Sequence, residues 1–518
     1  MDSTLRTTEN AQDIGLSSFN MDEYQPMSVA NQMRGSILHR IKTGKHVLPE
    51  IDGRQDAKAD VMRSLLSGAH PYLISEEGTG KTRLARSLTN LLPGIPVIKG
   101  CPYNDDPKWP QELLCPRCRS VKDPVKEFGI DYLPSRKRFS RIQGNEYTNE
   151  AKLLGLKDIQ SIAHGKSLSD PEAFTGTGVF RANRGILFVD ELPAIRTKIQ
   201  VLFHPVLEEN LAVLEEYNWQ YPLDLVFIGT GNPTGFSHVN DIPRPLLDRL
   251  ELIYMDMPDE EVERKIMLEE GFKETHDGSR PGGPDQPQIY TSEDIARKVM
   301  APWWIIDIVN KSVRHSRTCP HVEKRPSIRA SIRALEHTFS SVEIENRKVA
   351  NLKHAFYGTR LSLRGRIGLR ADLIDFEQPR KAFFLADNLS EDFVWNAFEN
   401  LCQRGSFIGE WDRKKAADEV IQLESGDANL ESGNLPQEIL SGYPELNDVI
   451  KRMKEIGLKK TDTEFQGIQP TDLYNSQDDN ISGELNYSAL EIIANILVHE
   501  KIISEMKLKH VFFAGEYV

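Results

Sequence analysis

The feature that most constrains this chain is a glycine-rich turn between a predicted strand and a predicted helix. Residues 75–82 read S-E-E-G-T-G-K-T, follow the apolar segment 72–74 and precede the amphipathic segment 83–92. Such a turn aims backbone N–H groups and a helix N-terminus at a polyphosphate, while Lys81 reaches the β- and γ-phosphates and the Thr82 hydroxyl meets Mg²⁺. The motif therefore predicts binding of ATP or GTP.

The motif departs from the pattern G-x-x-x-x-G-K-[ST] at its first position, where Ser75 stands in place of glycine. We expect Ser75 to enter a turn that glycine adopts more easily. Glu77 adds a negative charge beside the phosphate loop. The core of the loop is kept in Gly78, Thr79 and Gly80, so we expect altered nucleotide affinity rather than lost binding.

Two later apolar segments also end in polar residues. Residues 185–191 read G-I-L-F-V-D-E, the form of a buried parallel strand whose carboxyl end faces a ligand. Asp190 is predicted to hold Mg²⁺ and Glu191 to polarise the attacking water. The strand 225–228 leads into G-T-G-N-P, where Asn232 is placed to orient that water. Each segment alone also describes an ordinary core strand, but their order and spacing indicate one ATPase module.

Further motifs extend this pattern beyond the three strands. The chain reads R-A-N-R-G at 181–185, R-P-L-L-D-R at 244–249 and S-I-R-A at 327–330. With the phosphate loop, this set resembles the AAA+ ATPases of the magnesium chelatase I-subunit and MoxR clade. The resemblance covers roughly residues 35–370. It implies a parallel α/β sheet sandwiched by helices, followed by an all-α lid.

The resemblance also implies roles for single residues. Lys81 and Thr82 match the Walker A pair, Asp190 and Glu191 the Walker B pair, and Asn232 the sensor-1 residue.

Other matching residues lie outside the three strands. Arg249 matches the arginine finger, whose guanidinium enters the neighbouring subunit's site and stabilises charge on the γ-phosphate. Arg329 matches the sensor-2 arginine of the lid, and Ile51 and Gly53 lie in the segment that contacts adenine. An arginine that acts in trans requires a closed ring, which in this family is expected to be a hexamer.

We divide the chain into four predicted parts. Residues 1–34 form a flexible leader, and residues 35–275 form the AAA+ α/β domain with a cysteine-containing insertion at about 100–150. Residues 276–370 form the helical lid that carries Arg329. Residues 371–518 form a mostly helical region, for which a helix followed by a short strand pair near the end suggests a winged-helix-like module.

Three of the five cysteines are clustered in sequence. Cys101, Cys115 and Cys118 give the spacing C-x₁₃-C-x₂-C, and the Cys-Pro-Arg-Cys turn resembles a zinc knuckle. A structural zinc ion or an iron–sulfur cluster is a possible occupant, and reduced cysteines in a surface loop are the alternative. The local sequence lacks an evident fourth ligand. The candidates are Asp105, Asp106, His164 and Cys319.

Charge and hydropathy indicate where in the cell the protein is expected and which partners it is expected to bind. The chain has 64 basic and 77 acidic residues, a net charge of −13, which argues against general nucleic-acid binding. One basic segment, 135–141, is predicted to be a surface loop and is the only support for a nucleic-acid or acidic partner. The amino terminus lacks the apolar core of a signal peptide, and we find no run of about 18 apolar residues. We therefore expect a cytoplasmic protein without a membrane span.

The leading functional prediction is a ring ATPase of the magnesium chelatase I-subunit type that uses ATP and Mg²⁺ to remodel a partner protein. In that family the partner often carries a von Willebrand A domain. A MoxR-like chaperone that matures a metalloenzyme or another complex is the first alternative. A nucleotide-gated scaffold without turnover is the second, and a nucleic-acid translocase is the third.

Overall fold

The computed structural model describes the chain in two compact units. The described residues are 21–163, 165, 167, 170, 173–214, 217–232, 240–271, 297–374, 379–403, 409–426, 429–463 and 473–511. The first unit is Met1–Met257 and the second is Pro258–Val518.

The first unit is built around a five-stranded sheet in which all neighbouring strands are parallel. The strands are β1 (His70–Ile74), β2 (Phe139–Gln143), β3 (Gly185–Asp190), β4 (Leu225–Gly231) and β5 (Leu250–Tyr254). Their order across the sheet is β5-β1-β4-β3-β2. Gly229 of β4 pairs with Tyr72 of β1 on one side and with Val189 of β3 on the other. The carboxyl ends of β1, β4 and β3 therefore meet at one edge.

Helices cover both faces of this sheet. Side chains along the strands alternate between two apolar cores: Leu73, Ile186 and Val226 pack on one side, and Tyr72 and Leu187 on the other. Because both faces of the sheet are buried, the sequences of β3 and β4 are almost uninterrupted runs of apolar residues. The three predicted strands and the predicted α/β sandwich are confirmed.

The longer helices of the first unit pack on the face that contains Leu73. They are α1 (Val29–Lys42), α2 (Gln55–Ser67) and α3 (Lys81–Ser87). Short helices span Pro116–Arg119, Pro124–Phe128, Glu150–Leu153, Ile159–Ala163, Gly178–Arg181, Thr197–Gln200, Phe203–Glu208 and Arg244–Leu247. Antiparallel strand pairs join Ile95–Ile98 to Ile130–Leu133, Gly155–Lys157 to Phe174–Gly176, and Leu211–Leu214 to Trp219–Pro222.

The predicted leader is wrong for its last part. Helix α1 begins at Val29, and Val29, Met33 and Ile37 are fully buried. Their i, i+4, i+8 spacing gives α1 an apolar stripe that packs on the sheet core. Residues 1–20 of the predicted leader lie outside the described residues.

The predicted insertion and surface loop are also corrected. Residues 139–143 form strand β2 of the central sheet, so the inserted segment ends before Phe139 rather than near residue 150. Arg138 is 1% exposed, and its guanidinium donates hydrogen bonds to the backbone carbonyls of Arg184 and Pro93. Ser135 is buried as well. Of the four basic residues, only Arg138 is buried, whereas Arg136, Lys137 and Arg141 are exposed. The surface-loop prediction is therefore corrected at Arg138 and at strand β2, and a nucleic-acid role for the exposed basic residues stays untested.

The second unit is helical. Its longer helices are α4 (Glu260–Gly271), α5 (Trp303–Thr318), α6 (Ile328–Ile344), α7 (Leu352–Arg364), α8 (Pro379–Gln403), α9 (Arg413–Ser425), α10 (Pro444–Thr463) and α11 (Asp479–His499), with a short helix at Gln437–Leu440. A strand pair joins Val322–Lys324 to Gly368–Leu369. No helix among the residues described is both long enough and apolar enough to span a bilayer.

One apolar core runs through this unit from Met267 to Val511. The predicted boundary at residue 370 does not divide that core. Within the described part of 371–511 there is no strand, so the winged-helix prediction gains no support there. Phe512 and Phe513, part of the strand pair predicted near the end, lie outside the described residues.

Candidate active site

The phosphate loop connects β1 to α3 and contains two glycines in left-handed conformations. Gly78 has φ of 72° and Gly80 has φ of 94°. At Gly80 an added Cβ would also lie 3.3 Å from Nη1 of Arg54. Ser75, in contrast, is not among the described residues with positive φ, so the strain expected at this position is absent. Its hydroxyl lies 2.5 Å from the Thr79 hydroxyl, inside the loop.

Lys81 lies between the ends of β1 and β4. Its Nζ donates hydrogen bonds to the Ser75 carbonyl at 2.6 Å, to the Gly231 carbonyl at 3.2 Å and to Oδ1 of Asn232 at 3.0 Å. Burial lowers the pKa of Lys81, although Asp190, Glu191 and Glu77 oppose this shift. The structure thus joins the predicted Walker A lysine to the predicted sensor-1 residue.

Asp190 is the last residue of β3, and its carboxylate faces the hydroxyls of Thr230 and Thr82. Its Oδ1 accepts a hydrogen bond from Thr230 at 2.8 Å, and its Oδ2 accepts from Thr82 at 3.5 Å. Oxygen atoms of hydroxyl and carboxylate groups are the ligands that Mg²⁺ prefers. The two residues predicted to share Mg²⁺ are therefore adjacent and chemically suited to it.

A third partner of Asp190 was not foreseen from the sequence. Nη2 of Arg141 forms an ion pair with Oδ2 of Asp190 at 2.6 Å. Two residues further along β2, Nε2 of Gln143 donates to Oε2 of Glu191 at 3.2 Å. The i, i+2 spacing places both side chains on one face of an edge strand. The sequence of 139–143 is F-S-R-I-Q, in which polar and apolar residues do not alternate strictly, so it gave no clear signal of a strand.

Glu191 follows Asp190 in a left-handed conformation with φ of 56°. Its N–H donates to the Thr230 hydroxyl at 2.9 Å, so Thr230 contacts both acidic residues. A side chain at Gly144 would place its Cβ 2.2 Å from the Glu191 carbonyl oxygen. Glycine at 144 is thus needed for β2 to approach the end of β3.

The segment predicted to contact adenine borders a cavity of about 450 Å³. Ile51 and Gly53 line it, together with Val47, Leu48 and Met62. Arg54 immediately precedes α2 and has a φ of 54°. Its Nη2 is buried and has no hydrogen-bond partner among the described residues. Because Nη1 of Arg54 approaches Gly80, this unsatisfied donor fits an anionic group on the phosphate loop.

The two predicted arginines have different surroundings. Arg249 follows the short helix Arg244–Leu247, forms an ion pair with Glu208 and donates to the Pro245 carbonyl. None of these partners belongs to the chain's own phosphate site. Arg329 is exposed on the first turn of α6, in the second unit, and its N–H donates to the Ser327 hydroxyl at 3.3 Å. These contacts do not test the predicted roles.

The three clustered cysteines lie together with one carboxylate. Cys101, Asp105, Cys115 and Cys118 each offer an atom within 4.8 Å of the others. Cys115 and Cys118 are fully buried, which corrects the expected surface position, while reduced thiols without a metal stay the alternative. Burial raises the pKa of Cys101, but hydrogen bonds from Cys115 and Cys118 outweigh this effect and lower it to about 3. The cluster is thus polar, buried and rich in sulfur.

The structure distinguishes among the four proposed fourth ligands. Asp105 is the carboxylate in the cluster. Asp106 instead forms a buried ion pair with Arg184 at 2.5 Å. Cys319 belongs to the second unit, and His164 lies outside the described residues.

Comparison with known proteins agrees with this geometry. The family model "AAA domain (dynein-related subfamily)" matches residues 131–250, which include β2, β3 and β4. The chain is 30% identical over 180 residues to magnesium-chelatase subunit ChlI of Anabaena variabilis, which is 34% of this chain and 49% of that protein. It is 28% identical over 180 residues to the magnesium-chelatase 38 kDa subunit of Acidiphilium rubrum, 34% of this chain and 48% of that protein.

The chain spans about half the length of these curated relatives. One chain in a solved complex between subunits BchI and BchD of magnesium chelatase also aligns with this protein. The alignment covers 62% of this chain and 95% of the matched chain, with 18% sequence identity and a TM-score of 0.34. The resemblance to the AAA+ ATPases of the chelatase type is confirmed by the family match and the relatives.

Proposed function

We propose that this chain, which contains an AAA domain and is related to magnesium-chelatase I subunits, is a ring-forming ATPase that remodels a partner protein. The observation that carries the proposal is the meeting of Lys81, Thr82, Asp190 and Glu191 at one edge of a parallel sheet. Ligands of open parallel sheets bind at this edge.

Each residue has a distinct task in the proposed reaction. Lys81 exchanges its carbonyl partners for β- and γ-phosphate oxygens of ATP. Mg²⁺, when bound by Thr82 and Asp190, neutralises charge between those phosphates. Glu191 accepts a hydrogen bond from the attacking water, and Asn232 orients that water from the other side of Lys81.

Ring formation supplies the remaining group. The proposed arginine finger, Arg249, has its partners on its own surface rather than in its own nucleotide site. In a ring it would reach the γ-phosphate bound by the adjacent subunit. Arg329 of the helical unit is proposed as the sensor-2 residue, so that nucleotide state changes the arrangement of the lid.

The partner and client are proposed from the relatives. A BchI–BchD complex exists for magnesium chelatase, and by analogy we propose a protein partner carrying a von Willebrand A domain. A MoxR-like chaperone role would use the same ATP site and the same kind of partner. Residue chemistry does not separate these two roles, whereas the identity of the co-purifying protein does.

A nucleotide-gated scaffold is the second candidate. The ion pair between Arg141 and Asp190 favours it, because a guanidinium competes with Mg²⁺ for the carboxylate needed in turnover. Two features favour hydrolysis instead. Lys81, which donates hydrogen bonds to backbone carbonyls, is placed to bind phosphates, and Glu191 is available to activate the attacking water.

Steady-state ATPase activity tests the proposed function. Glu191→Gln should lower kcat by about 10²–10⁴-fold while ATP binding persists, since the amide cannot accept the proton of the attacking water. Glu209→Gln, at an exposed position, is the matched control and should retain wild-type turnover. If the wild type binds ATP and assembles but shows no turnover with its partner, the protein functions as a nucleotide-gated scaffold and not as an ATPase.

A further inference from the structure

The cysteine cluster of the first unit has the dimensions of a single-ion site. Sγ of Cys101 and Sγ of Cys115 are 3.7 Å apart, and all four potential ligand atoms lie within 4.8 Å of one another. Two sulfurs bound to one tetrahedral zinc at about 2.3 Å would be separated by about 3.8 Å. The described side chains therefore already stand at the spacing that one metal ion requires.

We propose that Cys101, Asp105, Cys115 and Cys118 bind one structural zinc ion. Three thiolates and a carboxylate complete a four-coordinate shell and leave no open position for substrate, which is the character of a structural site. A disulfide is excluded in this geometry, because 3.7 Å far exceeds an S–S bond of about 2.05 Å. An iron–sulfur cluster places several iron atoms between its cysteines and uses four thiolates, so it needs a wider and sulfur-richer site.

The surroundings of the cluster hold the ligands in place. Backbone N–H groups of Tyr103 and Asp105 donate to Sγ of Cys101 at 3.4 and 3.3 Å. Oδ1 of Asp105 accepts from the Tyr221 hydroxyl at 2.5 Å, and Oδ2 accepts from the Cys115 N–H at 2.8 Å. Ligands of bound metals are commonly oriented by such outer hydrogen bonds. Asp105 is fully buried, and the hydrogen bonds from Tyr221 and Cys115 hold its carboxylate in place.

Local sequence explains how the ligands converge. Cys115 precedes the short helix Pro116–Arg119, and its position three residues before Cys118 brings both thiols to one side of a single turn. Gly100 and Asn104 adopt φ of 69° and 59°, which lets the chain turn back after β-strand Ile95–Ile98. The turn returns Cys101 and Asp105 to the same point.

The zinc site would anchor the inserted segment to the start of β3. Tyr103, between two of the ligands, packs against Phe180 and Tyr221. Nδ2 of Asn183 donates to the Tyr103 carbonyl at 2.7 Å and to the Tyr221 hydroxyl at 3.1 Å. Asn183 lies two residues before β3, the strand that ends at Asp190. Metal binding is thus expected to stabilise the first unit without entering the ATP reaction.

Metal analysis of the purified full-length protein tests the proposal. After dialysis against a weak chelator, the wild type should retain about one zinc per chain. Cys115→Ser and Asp105→Ala should each lose most of it. Cys319→Ser and Asp131→Asn are matched controls outside the shell, and they should retain the wild-type content. Iron with acid-labile sulfide in the wild type, or no metal at all, would overturn the assignment.

Two measurements on the wild type keep the test independent of folding defects in the variants. Cobalt added to the zinc-free protein should produce the intense visible ligand-field bands of a tetrahedral site with thiolate ligands. Native alkylation followed by mass spectrometry should show Cys101, Cys115 and Cys118 protected until a strong chelator is added, while the reactivity of Cys319 is unchanged. An octahedral cobalt spectrum, or equal labelling with and without chelator, would contradict a zinc site.

Tyr221 provides a finer test as a positioning residue. Tyr221→Phe removes only the hydroxyl that donates to Asp105. Loss of one such outer contact is expected to weaken zinc affinity by about 10–100-fold, measured by competition with a chromophoric chelator. Tyr217→Phe, a tyrosine of the same apolar core, is the control. Equal affinity in Tyr221→Phe and wild type would show that the Tyr221 hydroxyl does not position a zinc ligand.

Discussion

At the scale of single residues, the carboxylate of Asp190 is the point where several interactions compete. Its Oδ2 is shared by the Thr82 hydroxyl, 3.5 Å away, and the Arg141 guanidinium, 2.6 Å away. Only the first of these is compatible with a metal ion at the same oxygen, because the guanidinium brings a second positive charge. Binding of Mg²⁺ should therefore require Arg141 to move or to weaken its ion pair.

Replacing Arg141 tests this competition. Ion pairs of partly exposed arginines contribute about 0.2–1 kcal/mol, so Arg141→Met should lower the Mg²⁺ concentration for half-maximal ATPase activity by up to about fivefold. Magnesium titration of steady-state turnover measures it. Arg136→Met, an exposed arginine just before the same strand, should not shift the titration. A higher Mg²⁺ requirement in Arg141→Met would instead show that Arg141 positions Asp190.

At the scale of secondary-structure elements, the helical unit has a buried charge cluster that joins three helices. Glu263 of α4 is fully buried and accepts hydrogen bonds from Arg314 and Arg317 of α5 and from Ser331 of α6. Burial alone raises the pKa of Glu263, but Arg317, Ser331 and Arg314 outweigh it, and the net pKa is lowered. The carboxylate therefore favours the folded state in its charged form.

The pH dependence follows from the sign of this shift. A glutamate in an unfolded chain titrates near pH 4.3 and folded Glu263 titrates lower, so its stabilisation is present above that pH and is lost as the pH falls through the folded pKa. Glu263→Gln should lower the free energy of unfolding at pH 7 by about 3 kcal/mol, because two arginines lose their buried partner. It should also flatten the acid limb of the stability profile.

Denaturant unfolding followed by the fluorescence of buried Trp303 and Trp304 gives this free energy. Glu261→Gln, on the exposed side of α4, is expected to change it by less than about 0.5 kcal/mol. An unchanged stability in Glu263→Gln would mean that the two arginines find equivalent partners.

At the scale of the whole molecule, the proposed mechanism needs more than one chain. Arg249 pairs with Glu208 on its own subunit, and the proposed finger role requires a neighbour's nucleotide. In a 1:1 mixture of Arg249→Ala and Glu191→Gln subunits, a productive interface forms where an intact site meets an intact arginine. Random mixing should therefore restore about a quarter of wild-type turnover, although each variant alone is inactive.

Subunit mixing is measured as ATPase activity after joint assembly on nucleotide. A mixture of Lys81→Ala and Glu191→Gln is the control, because neither subunit then has an intact site and no activity should return. Absence of recovery in the first mixture, despite shared rings, would show that Arg249 does not act on the nucleotide of the neighbouring subunit.

Local sequence was enough to predict the phosphate loop and the parallel sheet around it, whereas the nucleotide site itself stays a proposal. Lys81, Thr82, Asp190 and Glu191 were predicted to lie together because a phosphate loop has a nearly fixed sequence and because buried parallel strands are uninterrupted apolar runs. The edge strand β2 escaped prediction, since Arg141 and Gln143 face the carboxylates of Asp190 and Glu191 rather than an apolar core. Tertiary structure alone decided that these two side chains face Asp190 and Glu191, and that Asp105 rather than Asp106 joins the cysteines. Both outcomes depend on strand register and loop closure between distant parts of the chain, which local patterns of residues do not encode.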